Sequence, residues 1–130
     1  MKRIVNKIAV TLVMLSAFLI LPSQASEAPF ESVTYTWKQG AFSGGKYKLT
    51  LLDGKVQWHG LQGPEKGMSA IENKTAFIKL TPDQYLITWL EKVGYTVTVI
   101  INTGSNKVTG IVSNAKEHYV LAGQIDTIQL

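Results

Sequence analysis

Apolar residues recur at every second position along most of this chain, in short runs cut by turn signals. That period leaves little room for anything but antiparallel strands with one wet and one dry face. Val33, Tyr35 and Trp37 alternate with Thr34, Thr36 and Lys38. Tyr47, Leu49 and Leu51 alternate with Lys48 and Thr50, and Asp53-Gly54 then makes a tight hairpin turn. Val56 and Trp58 follow, with Lys55, Gln57 and His59 opposite, before a connection rich in Gly60, Gly63, Pro64 and Gly67. A run from about Ser69 places Ala76, Ile78 and Leu80 on one face, and Thr81-Pro82-Asp83 turns the chain. Tyr85, Ile87 and Trp89 make the next dry face, then Val97, Val99 and Ile101, then Val108, Gly110 and Val112. The last strand, from His118 to Leu130, has no readable phase, because Val120, Leu121, Ala122 and Ile125 fall on both faces.

This reading gives an all-β chain of eight strands joined mostly by short turns, with no helical repeat among them. Eight short antiparallel strands predict an up-and-down barrel, in which closure removes exposed sheet edges. A barrel of that size is filled by side chains or holds one small ligand. A two-sheet sandwich is the runner-up. The expected interior comprises Val33, Tyr35, Trp37, Leu49, Trp58, Ile78, Ile87, Trp89, Val97, Val99 and Val108.

Ahead of the strands lies a segment of different character. Met1 to Lys7 carries Lys2, Arg3 and Lys7 and no acid; Ile8 to Leu21 is an unbroken run of 14 weakly polar to apolar residues. Pro22 ends it, and Ser23-Gln24-Ala25 places small residues at −3 and −1 of a cleavage site. That order is a secretory signal peptide over residues 1–25, cleaved between Ala25 and Ser26. The apolar run is shorter than the roughly 20 residues a membrane-crossing helix needs. A retained amphitropic anchor is the alternative. Cleavage after Ala28 would put Pro29 at +1, which disfavours it. Without cysteine there is no lipid attachment site and no disulfide. The expectation is a bacterial protein, periplasmic or secreted, with residues 26–130 as one domain and no membrane anchor after cleavage. Three of the 13 lysines and arginines leave with the leader, so ten face nine acids. Without a basic stripe the chain is not expected to bind nucleic acid.

The two histidines, His59 and His118, make no metal-ligand set with spacing, and no phosphate loop or nucleophile elbow is present. No metal and no cofactor are expected. One constellation stands out. Glu91 continues the face of Tyr85, Ile87 and Trp89, so it points inward if they do. A carboxylate at an apolar mouth is partly desolvated, which raises its pKa and suits it for proton transfer. Tyr35 is placed to hydrogen-bond a ligand or that carboxylate. Trp37, Trp58 and Trp89, with Tyr85, supply flat walls for an aromatic guest. Inward tryptophans also serve as plain core, and an acid beside a turn is commonly solvated.

Tyr35-Thr36-Trp37-Lys38-Gln39-Gly40 and the segment Tyr85-Leu86-Ile87-Thr88-Trp89-Leu90-Glu91-Lys92-Val93-Gly94 resemble the MoaF-like family and the bacterial phenolic acid decarboxylases. Thr96-Val97-Thr98-Val99 and Asn106-Lys107-Val108-Thr109-Gly110 extend the similarity. The resemblance implies a small calycin-type, lipocalin-like antiparallel barrel with a central cavity. In the decarboxylases it implies a tyrosine pair that binds the substrate carboxylate, a proton-donating glutamate and an arginine. Tyr35 matches the first tyrosine and Glu91 the glutamate. Trp37 stands at the second tyrosine, and Met68 falls near the arginine's place; Arg3 is the only arginine of the chain.

The leading expectation is therefore a binding module for a small apolar or aromatic molecule, neutral or weakly polar. Two alternatives stand beside it. One is a lyase or isomerase using Glu91 as acid or base with Tyr35. The other is a periplasmic inhibitor-type interaction protein whose interior is only core.

Overall fold

A computed structural model describes residues 28–130; the expected leader, residues 1–25, and its expected cleavage site lie outside the described residues. Nine strands follow one another: β1 (Ser32–Gln39), β2 (Lys46–Leu52), β3 (Lys55–Gln62), β4 (Ser69–Glu72), β5 (Lys74–Thr81), β6 (Gln84–Leu90), β7 (Thr96–Asn102), β8 (Lys107–Ser113) and β9 (His118–Gln129). They form one antiparallel sheet in the order β4-β3-β2-β1-β9-β8-β7-β6-β5. A single sheet that curls on itself excludes the two-sheet sandwich.

The edges of this sheet, β4 and β5, are sequence neighbours separated only by Asn73, and β3 touches β5 across the gap. The sheet is thus a nearly closed barrel with one seam. Glu72 holds that seam. It is 3% exposed, accepts from the Trp58 indole N–H on β3 (3.2 Å) and from the Lys92 backbone N–H beyond β6 (3.3 Å). Its own carbonyl accepts from the Thr75 hydroxyl at 3.0 Å. Glu72→Ala would strip the part-buried Trp58 indole and the Lys92 N–H of their shared acceptor, at a cost of about 1 to 2 kcal/mol. Urea unfolding measures it, and an unchanged midpoint would contradict this role.

Alternation places the core as expected on most strands. Val33, Leu49, Ile87, Val99 and Val108 point inward and are shut off from solvent, joined by Val56, Ile101 and Leu121. Cross-strand pairing stacks them in rows: Phe77, Ile87, Val99, Gly110 and Leu121 lie side by side on five successive strands. Two expectations are corrected. The run expected as one strand from Ser69 breaks at Asn73, so nine strands form instead of eight. On β5 the phase is inverted: Phe77 is the buried residue, whereas Ile78 is 50% exposed and Leu80 also faces out. A strand's period of two makes such a slip reverse every side chain on it.

The unreadable last strand acquires a phase from its neighbours. Leu121 and Ile125 are buried and Val120 is exposed. Its pairing with β1 shifts register twice, between Thr34 and Tyr35 and between Trp37 and Gln39. Those irregularities bend a 12-residue strand around the barrel.

Candidate functional site

One end of the barrel is open into a cavity of about 270 Å³. Ligand pockets run from about 300 to 1,000 Å³, so this one suits a molecule of about one ring with short substituents. Strand β1 contributes Tyr35 and Trp37, and β3 and β6 contribute Trp58 and Trp89. Five of the six residues singled out in the sequence (Tyr35, Trp37, Trp58, Trp89 and Glu91) therefore meet in one place. Tyr85 does not. It shares their face but sits toward the other end, packed edge-on against Phe30 with ring centroids 6.0 Å apart, its hydroxyl donating to the Pro82 carbonyl.

Each wall is held by a specific contact. Trp37 stands edge-on to Tyr35 at 5.0 Å and reaches over Gly110 on β8. A Cβ there would come within 2.7 Å of the indole Cη2 atom, so the glycine makes the room in which Trp37 lies. Gly110→Val is expected to displace the ring and reshape the cavity, read as a shift in tryptophan emission. The Trp58 indole is fixed by Glu72, as described, and Trp89 by Glu91, whose Oε2 accepts its N–H at 3.2 Å. A tight turn presents Glu91 itself: its N–H donates to the Tyr95 carbonyl (2.7 Å) and its carbonyl accepts from Gly94 (2.8 Å). Gly94 there takes a φ of 103°, which a side chain would resist.

The structure adds residues that the sequence reading did not place in the site. Glu65, carried on the β3–β4 connection, lines the cavity and accepts from the Tyr47 hydroxyl at 2.6 Å. Around the rim, Phe42 from the β1–β2 turn meets Tyr119 of β9 at 5.6 Å. Tyr95 and Tyr119 both donate to Glu117. Tyr47 was legible as an inward residue of its strand. Glu65 lies in a connection without periodicity, and Tyr119 on the strand of unreadable phase.

Burial pushes the Glu91 carboxyl above its ordinary range, the Trp89 hydrogen bond opposes this, and the charges of Glu72 and Glu65 reinforce the rise. Burial likewise raises Tyr35, aided by Tyr47, Glu91 and Glu65, and Tyr47, aided by its bond to Glu65. Both phenols are therefore neutral under any ordinary condition. Tyr35 makes no side-chain hydrogen bond to Glu91; that carboxylate is engaged by Trp89.

A folded-state pKa above the unfolded value means that Glu91 opposes folding increasingly as pH rises from about 4.5 through the folded value. Glu91→Gln keeps an acceptor for Trp89. It is expected to melt above the parent at about pH 8 and with it at about pH 4. Melting below the parent at the higher pH would contradict this assignment. Chemically, the arrangement offers a flat aromatic enclosure, a carboxyl poised to exchange a proton, and a neutral buried phenol. Met68, near the place where the decarboxylases carry an arginine, is half exposed and lies outside the lining.

The sequence profile of the MoaF-like family matches residues 39–126, which takes in every strand from β2 to β8 and most of β9. No curated protein sequence matches the chain significantly. In fold it is similar to a crystal structure from Burkholderia vietnamiensis provisionally described as a β-lactamase. The TM-score is 0.67 at 16% identity, covering 77% of this chain and 96% of that one. At that identity the likeness concerns the fold alone. With the family profile spanning more than half of the sequence and a strand-only barrel beneath it, the chain belongs to the MoaF-like family.

Proposed function

We propose that this protein is an exported binding module whose end cavity takes a small, flat, largely apolar or aromatic molecule. The observation that carries this reading is the cavity itself, of one-ring size and walled by all three tryptophans of the chain. Aromatic walls bury a planar guest with little conformational entropy to lose, and few polar groups then orient it. Because no tryptophan lies elsewhere, intrinsic fluorescence reads the cavity directly. Saturable change on titration with small aromatic compounds is expected, and native mass spectrometry of protein purified from its own periplasm should retain a small molecule. An empty protein with a flat titration would defeat the reading.

The desolvated Glu91 favours a second reading, a lyase or isomerase in which Glu91 exchanges a proton with a planar substrate while Tyr35 orients it. Loss of turnover in Glu91→Gln with binding retained would support it over simple binding. Decarboxylation of hydroxycinnamic acids is not expected, since among the described residues no fixed cation lines the cavity to hold a substrate carboxylate. Absorbance of p-coumaric acid incubated with the mature protein tests this, and its decay would overturn the argument. Export is supported by the leader sequence. The exported form is expected to begin at Ser26, and terminal sequencing that finds Met1 intact would refute it.

A further inference from the structure

The charges in the cavity are all of one sign. Among the described residues, Glu65 and Glu91 are on its wall, and no lysine, arginine or histidine is. Glu72 sits behind Trp58, and Glu117 stands at the rim among the hydroxyls of Tyr95 and Tyr119. Eight of the 12 lining residues are aromatic, and the faces of aromatic rings carry negative partial charge. Such an enclosure stabilises a positive guest through its carboxylates, and an aromatic face brought against the guest adds to this; both effects grow as water is displaced. An anion would meet repulsion from the Glu65 and Glu91 carboxylates.

An independent feature points to an occupant. Tyr35 lines the cavity, is 3% exposed, and its hydroxyl makes no hydrogen bond to any described residue. A buried hydroxyl without a partner is costly, and its oxygen suits the positive head of an ammonium group, whether that presents N–H or N–CH3 hydrogens. Glu65 and Glu91 are each approached by a neutral donor, from Tyr47 and Trp89, and not by a counter-ion. The negative charge of the cavity is thus oriented but uncompensated within the described protein.

We infer that the cavity recognises a small organic cation, an amine or quaternary ammonium group borne on or beside a compact apolar body, seated between the tryptophan walls and the Glu65 and Glu91 carboxylates. This rests on the binding-module reading and sharpens it. The sequence pointed to one carboxylate and a neutral ligand; the second carboxylate, brought in by the β3–β4 connection, reverses that expectation.

Three probes of similar shape and different charge test it on the mature protein, by tryptophan fluorescence and calorimetry: phenyltrimethylammonium, tert-butylbenzene and benzoate. The cation is expected to bind at least about tenfold more tightly than the neutral hydrocarbon, and benzoate more weakly than either. In the double variant Glu65→Gln, Glu91→Gln, the preference for the cation over the hydrocarbon should be lost. Circular dichroism and the melting temperature report that the variant is still folded. Equal or tighter binding of tert-butylbenzene to the parent would overturn the cation inference and leave the binding module standing. A cation preference that survives the double substitution would overturn the role of the carboxylates. Silence with all three probes would defeat both readings.

Discussion

Gly123→Ala is expected to destabilise the domain by about 3 kcal/mol, at the upper end for overpacking, with melting lowered by more than about 10 °C. Gly123 lies on β9, opposite Trp37 of β1 and Val108 of β8. A Cβ at this position would fall 2.1 Å from the Thr36 carbonyl oxygen and 2.9 Å from the Trp37 Cα atom. These are backbone atoms, so no rotamer change relieves the clash. Strand β1 would have to draw away from β9, in the ladder that joins the two arms of the sheet and next to one of its register shifts. Urea unfolding gives the result, and a loss below about 1 kcal/mol would mean that the strands separate more easily than close packing allows.

Leu49→Ala should cost a similar amount for the opposite reason, about 3 to 4 kcal/mol from lost burial and the void left behind. Leu49 is completely buried and pairs with Val33 on β1 and with Trp58 on β3. Those neighbours belong to rigid ladders and cannot collapse into the gap. A loss under about 2 kcal/mol would show that the sheet relaxes around it. If the new void also opened into the end cavity, tryptophan emission would shift together with stability.

The period-two pattern carried most of the fold because most strands have a polar face to contrast with the buried one. Strands β1 and β2 set threonine and lysine against aromatic and aliphatic residues, and their inward faces were read correctly. The pattern failed on β5, where Ala76, Ile78 and Leu80 outnumber Phe77. The outside of the barrel around β5 to β9 is itself apolar, with Ile78, Leu90, Ile111 and Val120 all exposed. Counting apolar residues then selects the wrong face. Alternation also says nothing about depth. Tyr85 and Glu91 share a face, yet six residues of strand at about 3.3 Å each separate opposite ends of a small barrel. Glu65 was invisible for a third reason: the connection that carries it is shaped by backbone hydrogen bonds, such as Met68 N–H to the Glu65 carbonyl at 3.0 Å. Such bonds leave no imprint on side-chain type.

The seam at Asn73 and the pairing of the first strand with the last give the barrel an unusual kinetic layout. All ladders but one join strands adjacent in sequence, and so close short loops. The exception is β1 with β9, where Ser32 faces Gln129, 97 positions away. Closing a loop of that length costs entropy before its contacts form, and such remote pairing slows folding. Joining Leu130 to Phe30 through a short linker and opening the chain at Asn73 would convert this ladder into one more hairpin. No hydrogen-bonded ladder would be cut, because β4 and β5 share none. The rearranged chain is expected to refold faster than the parent in stopped-flow mixing and to reach the same barrel.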